Sequence, residues 1–132
     1  MAAKSYTHDD NVINFFLRGN PGALTAPVAV YAGLFLTNPT GPGDAGTEMA
    51  GDTYARVAVT FADPAGTGVT TNSGPVTFAT AGALWGTING VGIYDQAVGG
   101  NLLYFGALST PKSVTTGDTA SFATSALSIQ EQ

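Results

Sequence analysis

From Pro27 onward, apolar side chains recur at every second position in short runs, and glycine, proline, asparagine or aspartate closes each run. A period of two places alternate side chains on opposite faces of an extended strand, whereas a helix needs a period near 3.6. Most of the chain is therefore committed to β structure. In Pro27–Leu36, Val28, Val30, Leu34 and Leu36 fall on one side and Tyr31 and Phe35 on the other. Apolar residues on both faces predict a central or doubly covered strand. Arg56–Phe61 places Val57, Val59 and Phe61 inward and Arg56 and Thr60 outward, as in a half-exposed strand. Further strands are predicted at Gly68–Thr71, Pro75–Ala79, Gly86–Tyr94, Leu102–Leu108, Lys112–Thr115 and Thr119–Ile129. Asp95–Asn101, with its Gly99-Gly100 pair, reads as a hairpin loop, and Thr37–Gly51 as a loop rich in glycine, proline and acid.

The segment ahead of these strands follows the other period. Thr7 followed by Asp10 fits a capping-box-like helix start, with Asp9 and Asp10 in the first turn where the helix dipole favours them. Gly19-Asn20-Pro21-Gly22 stops the run. Val12, Ile13, Phe16 and Leu17 share one face, with Phe15 beside them. A helix this short is marginal alone in water, so it has to dock, either as a plug on the domain's own core or against a neighbouring subunit. No internal repeat of 20–50 residues is visible. The expected architecture is mainly β: a single-domain β-sandwich or jelly-roll-like barrel with one short N-terminal α-helix. Residues 1–22 are expected to form an arm and docking helix, and residues 23–132 the β-sandwich domain.

Composition narrows what such a domain can do. Only 10% of the residues are charged, against about 25% in an ordinary soluble domain. There is one histidine and no cysteine, and the net charge is −5. Nucleic acid is not an expected partner, because phosphate contacts need clustered cations and Lys4, Arg18, Arg56 and Lys112 are scattered. No run approaches the length of a membrane span, and the first ten residues lack the apolar region of a secretion signal, so no membrane partner is expected either. The lack of cysteine excludes disulfides and thiolate metal sites and is compatible with assembly in a reducing cytoplasm.

Candidate chemistry is thin, and no catalytic, cofactor-binding or metal-ligating residue is predicted. His8 is the only imidazole and lies at the helix start, where a cap-adjacent role is commoner than catalysis. Asp44, Glu48, Asp52 and Asp63 are the nearest approach to an acidic cluster that could serve a glycosidase. They lie in and just after the long loop, and Asp44–Glu48 does not match the ligand ladder that Ca²⁺ demands. Asn89-Gly90 and Gly90-Val91-Gly92 resemble fragments of phosphate-binding loops, but they fall inside a strand pattern and read better as close backbone packing or a bulge. Trp85, Tyr54, Tyr94 and Tyr104 could form a sugar-stacking surface; a place in the core or a subunit interface is the commoner fate of such rings.

Several strings occur together in a familiar order: Val30-Tyr-Ala-Gly-Leu-Phe35 followed by Asn38-Pro39, Gly46-Thr-Glu-Met-Ala-Gly51 with Tyr54-Ala-Arg-Val-Ala-Val-Thr-Phe61, Asn72-Ser-Gly-Pro-Val-Thr-Phe78, Trp85-Gly-Thr-Ile88, Gly92-Ile-Tyr-Asp95, Gly99-Gly-Asn-Leu-Leu-Tyr-Phe-Gly-Ala-Leu-Ser-Thr-Pro-Lys112 and Gly117-Asp118. Taken together they resemble a family of small virion proteins of tailed bacteriophages, often labelled tail fibre proteins. The resemblance implies a non-enzymatic structural protein of the virion, made in the cytoplasm of the host bacterium. A fibre needs an anchor and a long shaft, which 132 residues with one short helix do not provide. The expected role is therefore capsid decoration: a cement protein on the outer face of the head, with the major capsid protein and itself, as a homotrimer, for partners. Met1–Leu17 and the loop Thr37–Gly51 are the expected contact pieces, because termini and long loops can reach outward. The alternative is a tail-associated or tail-fibre module that binds host surface carbohydrate; a glycan-degrading enzyme using one of the four acids ranks third.

Overall fold

The run with apolar residues on both faces is the strand around which the main sheet is built. In the computed structural model, which describes residues 3–131, the elements are β1 (Ala3–Lys4), α1 (Tyr6–Leu17), β2 (Val30–Thr37), β3 (Thr47–Glu48), β4 (Val57–Val59), β5 (Val69–Thr71), β6 (Val76–Thr77), β7 (Gly86–Tyr94), β8 (Leu102–Val114), β9 (Ser121–Phe122) and β10 (Ser128–Gln130). The six-stranded antiparallel sheet has the order β1-β8-β7-β2-β3, with β4 also on β2. Two short antiparallel pairs, β5 with β10 and β6 with β9, supply the opposing layer. The result is a mainly β sandwich with one short helix; no closed barrel forms among the described residues.

Alternation along β2 and β7 decides what lies between the layers. Ala32 and Leu34 of β2 and Ile88, Val91 and Ile93 of β7 point inward, where they meet Val76, Phe78, Leu127 and Ile129 from the opposing layer. The opposite face of the large sheet is covered too, because Phe35 is fully buried there. Burying a phenylalanine contributes about 2–3 kcal/mol. The Phe35 ring lies over Gly92, the residue of β7 diagonal to it, and fits only because that residue is glycine: an alanine Cβ there would lie 2.7 Å from the ring and 2.8 Å from Leu102. The Gly90-Val91-Gly92 string is thus close backbone packing, with the Asn38 side chain laid directly over Gly90.

The structure corrects several boundaries. Pro27 and Val28 lie outside β2, and Val28 is wholly exposed rather than inward, because the pairing with β4 begins only at Val30. The two strands expected at Leu102–Leu108 and Lys112–Thr115 are one strand, β8. Its register with β7 jumps between Gly90↔Ala107 and Ile88↔Lys112, so the intervening residues, including Pro111, bulge out of the ladder. Thr119–Ile129 is instead broken into β9 and β10, with Ser125 in the left-handed region at φ 68°. The helix is capped by Ser5 rather than Thr7: Ser5 Oγ accepts from the His8 amide, which is the geometry an N-cap requires.

Candidate interaction surface

The helix and the long loop were the expected contact pieces, and they differ in how much they leave outward. None of the residues in α1 is fully buried. Ser5 anchors its start, donating its amide to Leu103 O at 2.7 Å and its hydroxyl to Leu102 O. The rings of Tyr6 and His8 then lie against Phe105 and Tyr104 of β8, at 6.0 and 5.4 Å between centroids. The opposite stripe is unpacked: Ile13 is 50% exposed, Phe16 70% and Leu17 80%. The helix does not plug the core, then. It lies on the outside of β8 and turns Ile13, Phe16 and Leu17 to solvent. Residues 1 and 2 of the expected contact piece lie outside the described residues.

The loop 37–51 is held more firmly. Asp44 accepts from the Thr40 amide and hydroxyl and from the Gly46 amide, closing its tip. Glu48 of β3 forms a bidentate pair with Arg56, at 2.9 Å to Nε and 2.7 Å to Nη2. Arg56 also lies 3.4 Å over the Tyr94 ring and donates Nη1 to Gln96 O and Gly99 O. One half-buried guanidinium therefore ties β3 and β4 to the β7–β8 hairpin. Burial lowers the Arg56 pKa, but the Glu48 carboxylate outweighs it and leaves the group above its ordinary value. Tyr94 is pushed up to about 12, first by burial and then by the Glu48 charge.

The four acids do not converge on a common cleft. Each is engaged in its own place: Asp44 closes a turn, Glu48 holds Arg56, Asp63 the Ala65 amide, and Asp52 the segment around Trp85. Asp52 Oδ2 accepts from Trp85 Nε1 at 2.8 Å and from the amides of Gly82 and Ala83 at 2.7 and 3.2 Å. The indole N–H, then Thr53, Gly82 and Ala83, hold its carboxyl down at about 2 against an ordinary 3.8. A depressed folded-state pKa means that the stabilisation is complete above 3.8 and is lost as the pH falls through about 2. Denaturation of the wild type and of Asp52→Asn should therefore differ most at pH 5 and converge towards pH 2; a gap that is constant with pH would refute the assignment.

The aromatic residues are equally engaged. Trp85 is 4% exposed and packs edge-on against Tyr54 at 5.6 Å. Tyr54 donates its hydroxyl to Glu48 Oε2 and accepts from the Leu34 amide. Tyr104 donates to Glu131, whose other oxygen holds Lys4 at 2.6 Å, joining the first strand to the C-terminal segment. Trp85 and Tyr94 present no open ring face, so these residues do not make a sugar-stacking platform. His8, beside Tyr104, is lowered from its usual value by burial.

Two features were missed in the sequence. Asn72 was legible only as part of a turn, and it is in fact wholly buried. Its Nδ2 donates to Gly74 O and Ala123 O, and its Oδ1 accepts from the Leu127 amide. The second is a groove of about 1000 Å³ between the far half of β8 and the segment 118–129. It reaches in between the two layers, where Leu34, Ile88, Val91 and Ile93 of the large sheet face Leu127 and Ile129. No local pattern signals such a gap, since its walls are far apart in the chain.

No group of three or more His, Asp or Glu side chains able to hold a metal ion forms among the described residues. No helix among them is long and apolar enough to cross a membrane. Among curated proteins no match was found. Residues 3–130, however, match the family described as Podophage GP4 fiber I protein gp80. A match over nearly the whole sandwich, helix included, means that this chain belongs to that family of phage structural fibre proteins.

Proposed function

We propose that this chain is a non-enzymatic structural subunit of a podophage virion, that it belongs to the fibre apparatus, and that it works through contact area with copies of itself and with the virion. The family description carries this reading. The structure supports it in a specific way: the acids and aromatic rings that could have run chemistry are engaged in holding the sandwich together, while apolar side chains on the helix are left facing out. Exposed apolar residues next to little charge favour close packing with another protein, because little has to be desolvated at the contact.

The second reading is capsid decoration, with the major capsid protein as partner and a homotrimer at the threefold positions of the head. The compact sandwich favours it, since none of its elements extends into a shaft. The family description moves the balance towards the fibre. Reconstruction of an intact virion containing this protein separates the two. Copies confined to the tail or its collar support the fibre assignment, and a regular lattice of copies over the head would replace it with decoration. Absence from the particle would end both.

A further inference from the structure

Residues 3–17 are fastened to the sandwich at one place and tethered to it at another. β1 adds to the edge of β8 through Ala3↔Phe105 and Lys4↔Tyr104. The buried Ser5 donates its amide to Leu103 O and its hydroxyl to Leu102 O, across 97 residues of chain. Lys4 Nζ meets Glu131 Oε1 at 2.6 Å, and the rings of Tyr6 and His8 lie against Phe105 and Tyr104. These partners form a seat of defined register and charge. None of them lies in β2, the strand that follows in the chain.

The tether, residues 18–29, is slack. All of it but Ala23 and Leu24 is exposed. Its hydrogen bonds go to itself and to the helix end: Arg18 to Asn14, the Asn20 amide to Asn14 O, the Ala23 amide to Asn20 O and the Gly22 amide to Asn20 Oδ1. Among the described residues none joins it to the sandwich, and a cleft of about 450 Å³ opens between it, the helix and the start of β8. A tether of this length reaches about 20 Å and holds its arm at an effective concentration of about 1 mM beside its own seat. The contacts in the seat are the same whether the arm comes from the same chain or from a neighbour, so the present occupant defines the competitor: the identical segment of a second copy. Below about 1 mM the closed form wins, whereas copies held within a tether's reach of each other present their arms at that same concentration.

We infer that β1 and α1 form an exchangeable arm: in the assembled protein the arm of one copy seats against β8 and Glu131 of the next, linking copies through a contact already built within one chain. Exchange also brings Phe16 and Leu17, exposed at the tether end of the helix, to the junction between the two copies, where their burial favours the exchanged form over the closed one. The inference rests on the self-association in the proposed function, but not on whether the chain sits at the tail or the head.

Isotope mixing of the full chain tests it. Equal amounts of unlabelled and ¹⁵N-labelled chain are mixed in denaturant, refolded and brought to micromolar or millimolar concentration. A carbodiimide then joins Lys4 to Glu131 across their ion pair, mass spectrometry reads the linked peptides, and sedimentation velocity reads the oligomeric state. Linked pairs at micromolar concentration should carry one label throughout, and at millimolar concentration about half should carry one light and one heavy partner, the share that free exchange between equal pools gives. If the chain is an oligomer and its linked pairs still carry a single label, exchange is overturned while self-association stands. If the oligomer yields no Lys4–Glu131 pair at all, the arm has left its seat and exchange is again overturned. If the chain is a monomer at every concentration, both fall.

Discussion

Replacing Asn72 with alanine is expected to destabilise the domain by about 2–3 kcal/mol, because it strands the buried Leu127 amide and two part-buried carbonyls at once. The side chain satisfies Gly74 O, Ala123 O and the Leu127 amide, at 2.8, 2.9 and 2.9 Å, and the residue is wholly buried. Each buried polar group left without a partner costs about 1–3 kcal/mol, and the lower end applies where water can enter the space left behind. The Asn72 backbone adds two further links, donating to Leu127 O and accepting from the Ser125 amide. The residue therefore fastens the segment 123–127 to the turn at 72–74, and with it the strand β10 that closes the core. Asn72→Asp is a sharper test. It keeps the size and the acceptor but loses both donors and sets a carboxylate against two carbonyl oxygens, so it should be no better than alanine at neutral pH and should recover as the carboxyl protonates. Urea denaturation at two pH values measures both; a loss under 1 kcal/mol for either variant at neutral pH would refute the role given to Asn72.

Trp85→Ala should cost about 3–5 kcal/mol, the range for truncating a large buried aromatic residue. A domain of this size has a total stability of about 5–15 kcal/mol, so the variant is expected to melt some 10 °C or more lower and to approach unfolding at the growth temperature. Two losses combine. A cavity opens between Tyr54 and the rest of the core, and Asp52 loses the indole N–H that does most to hold its carboxyl ionised. Trp85→Phe separates them, because it keeps most of the packing and removes only the donor. It should be markedly less damaging than alanine and should raise the Asp52 pKa, which is readable by NMR titration. If alanine at position 85 left the thermal melt unchanged, the core position of this side chain would be wrong. One practical consequence follows for carbohydrate binding: loss of binding in Trp85→Ala would report unfolding, not a missing contact.

The large strands were legible because their residues carry the evidence locally. Gly86–Tyr94 was bounded correctly, and the two-faced apolar pattern of β2 announced a strand covered on both sides. The hairpin loop 95–101 was signalled by its Gly99-Gly100 pair, both at positive φ. Cap placement failed by two residues, because Ser5 and Thr7 are both acceptable caps and only the contact of Ser5 with β8 distinguishes them. The roles of Glu48, Arg56 and Asp52 were hidden for a related reason. A charge in a loop-rich stretch looks solvated until the fold brings a partner from another segment, 8 residues away for the ion pair and 33 for the indole.

By itself, the order of residues determined that this chain would be a β-sandwich with one short leading helix, and that it would have few groups to do chemistry with. Both follow from properties each residue carries wherever it lies: the period of its apolar neighbours, the turn chemistry beside it, and its charge. Only the tertiary structure decided which side of the helix would be left uncovered, which polar residues would be buried, and that β8 would keep an open edge. Those outcomes depend on pairings between segments tens of residues apart, set by register and packing across the whole sandwich rather than by local pattern.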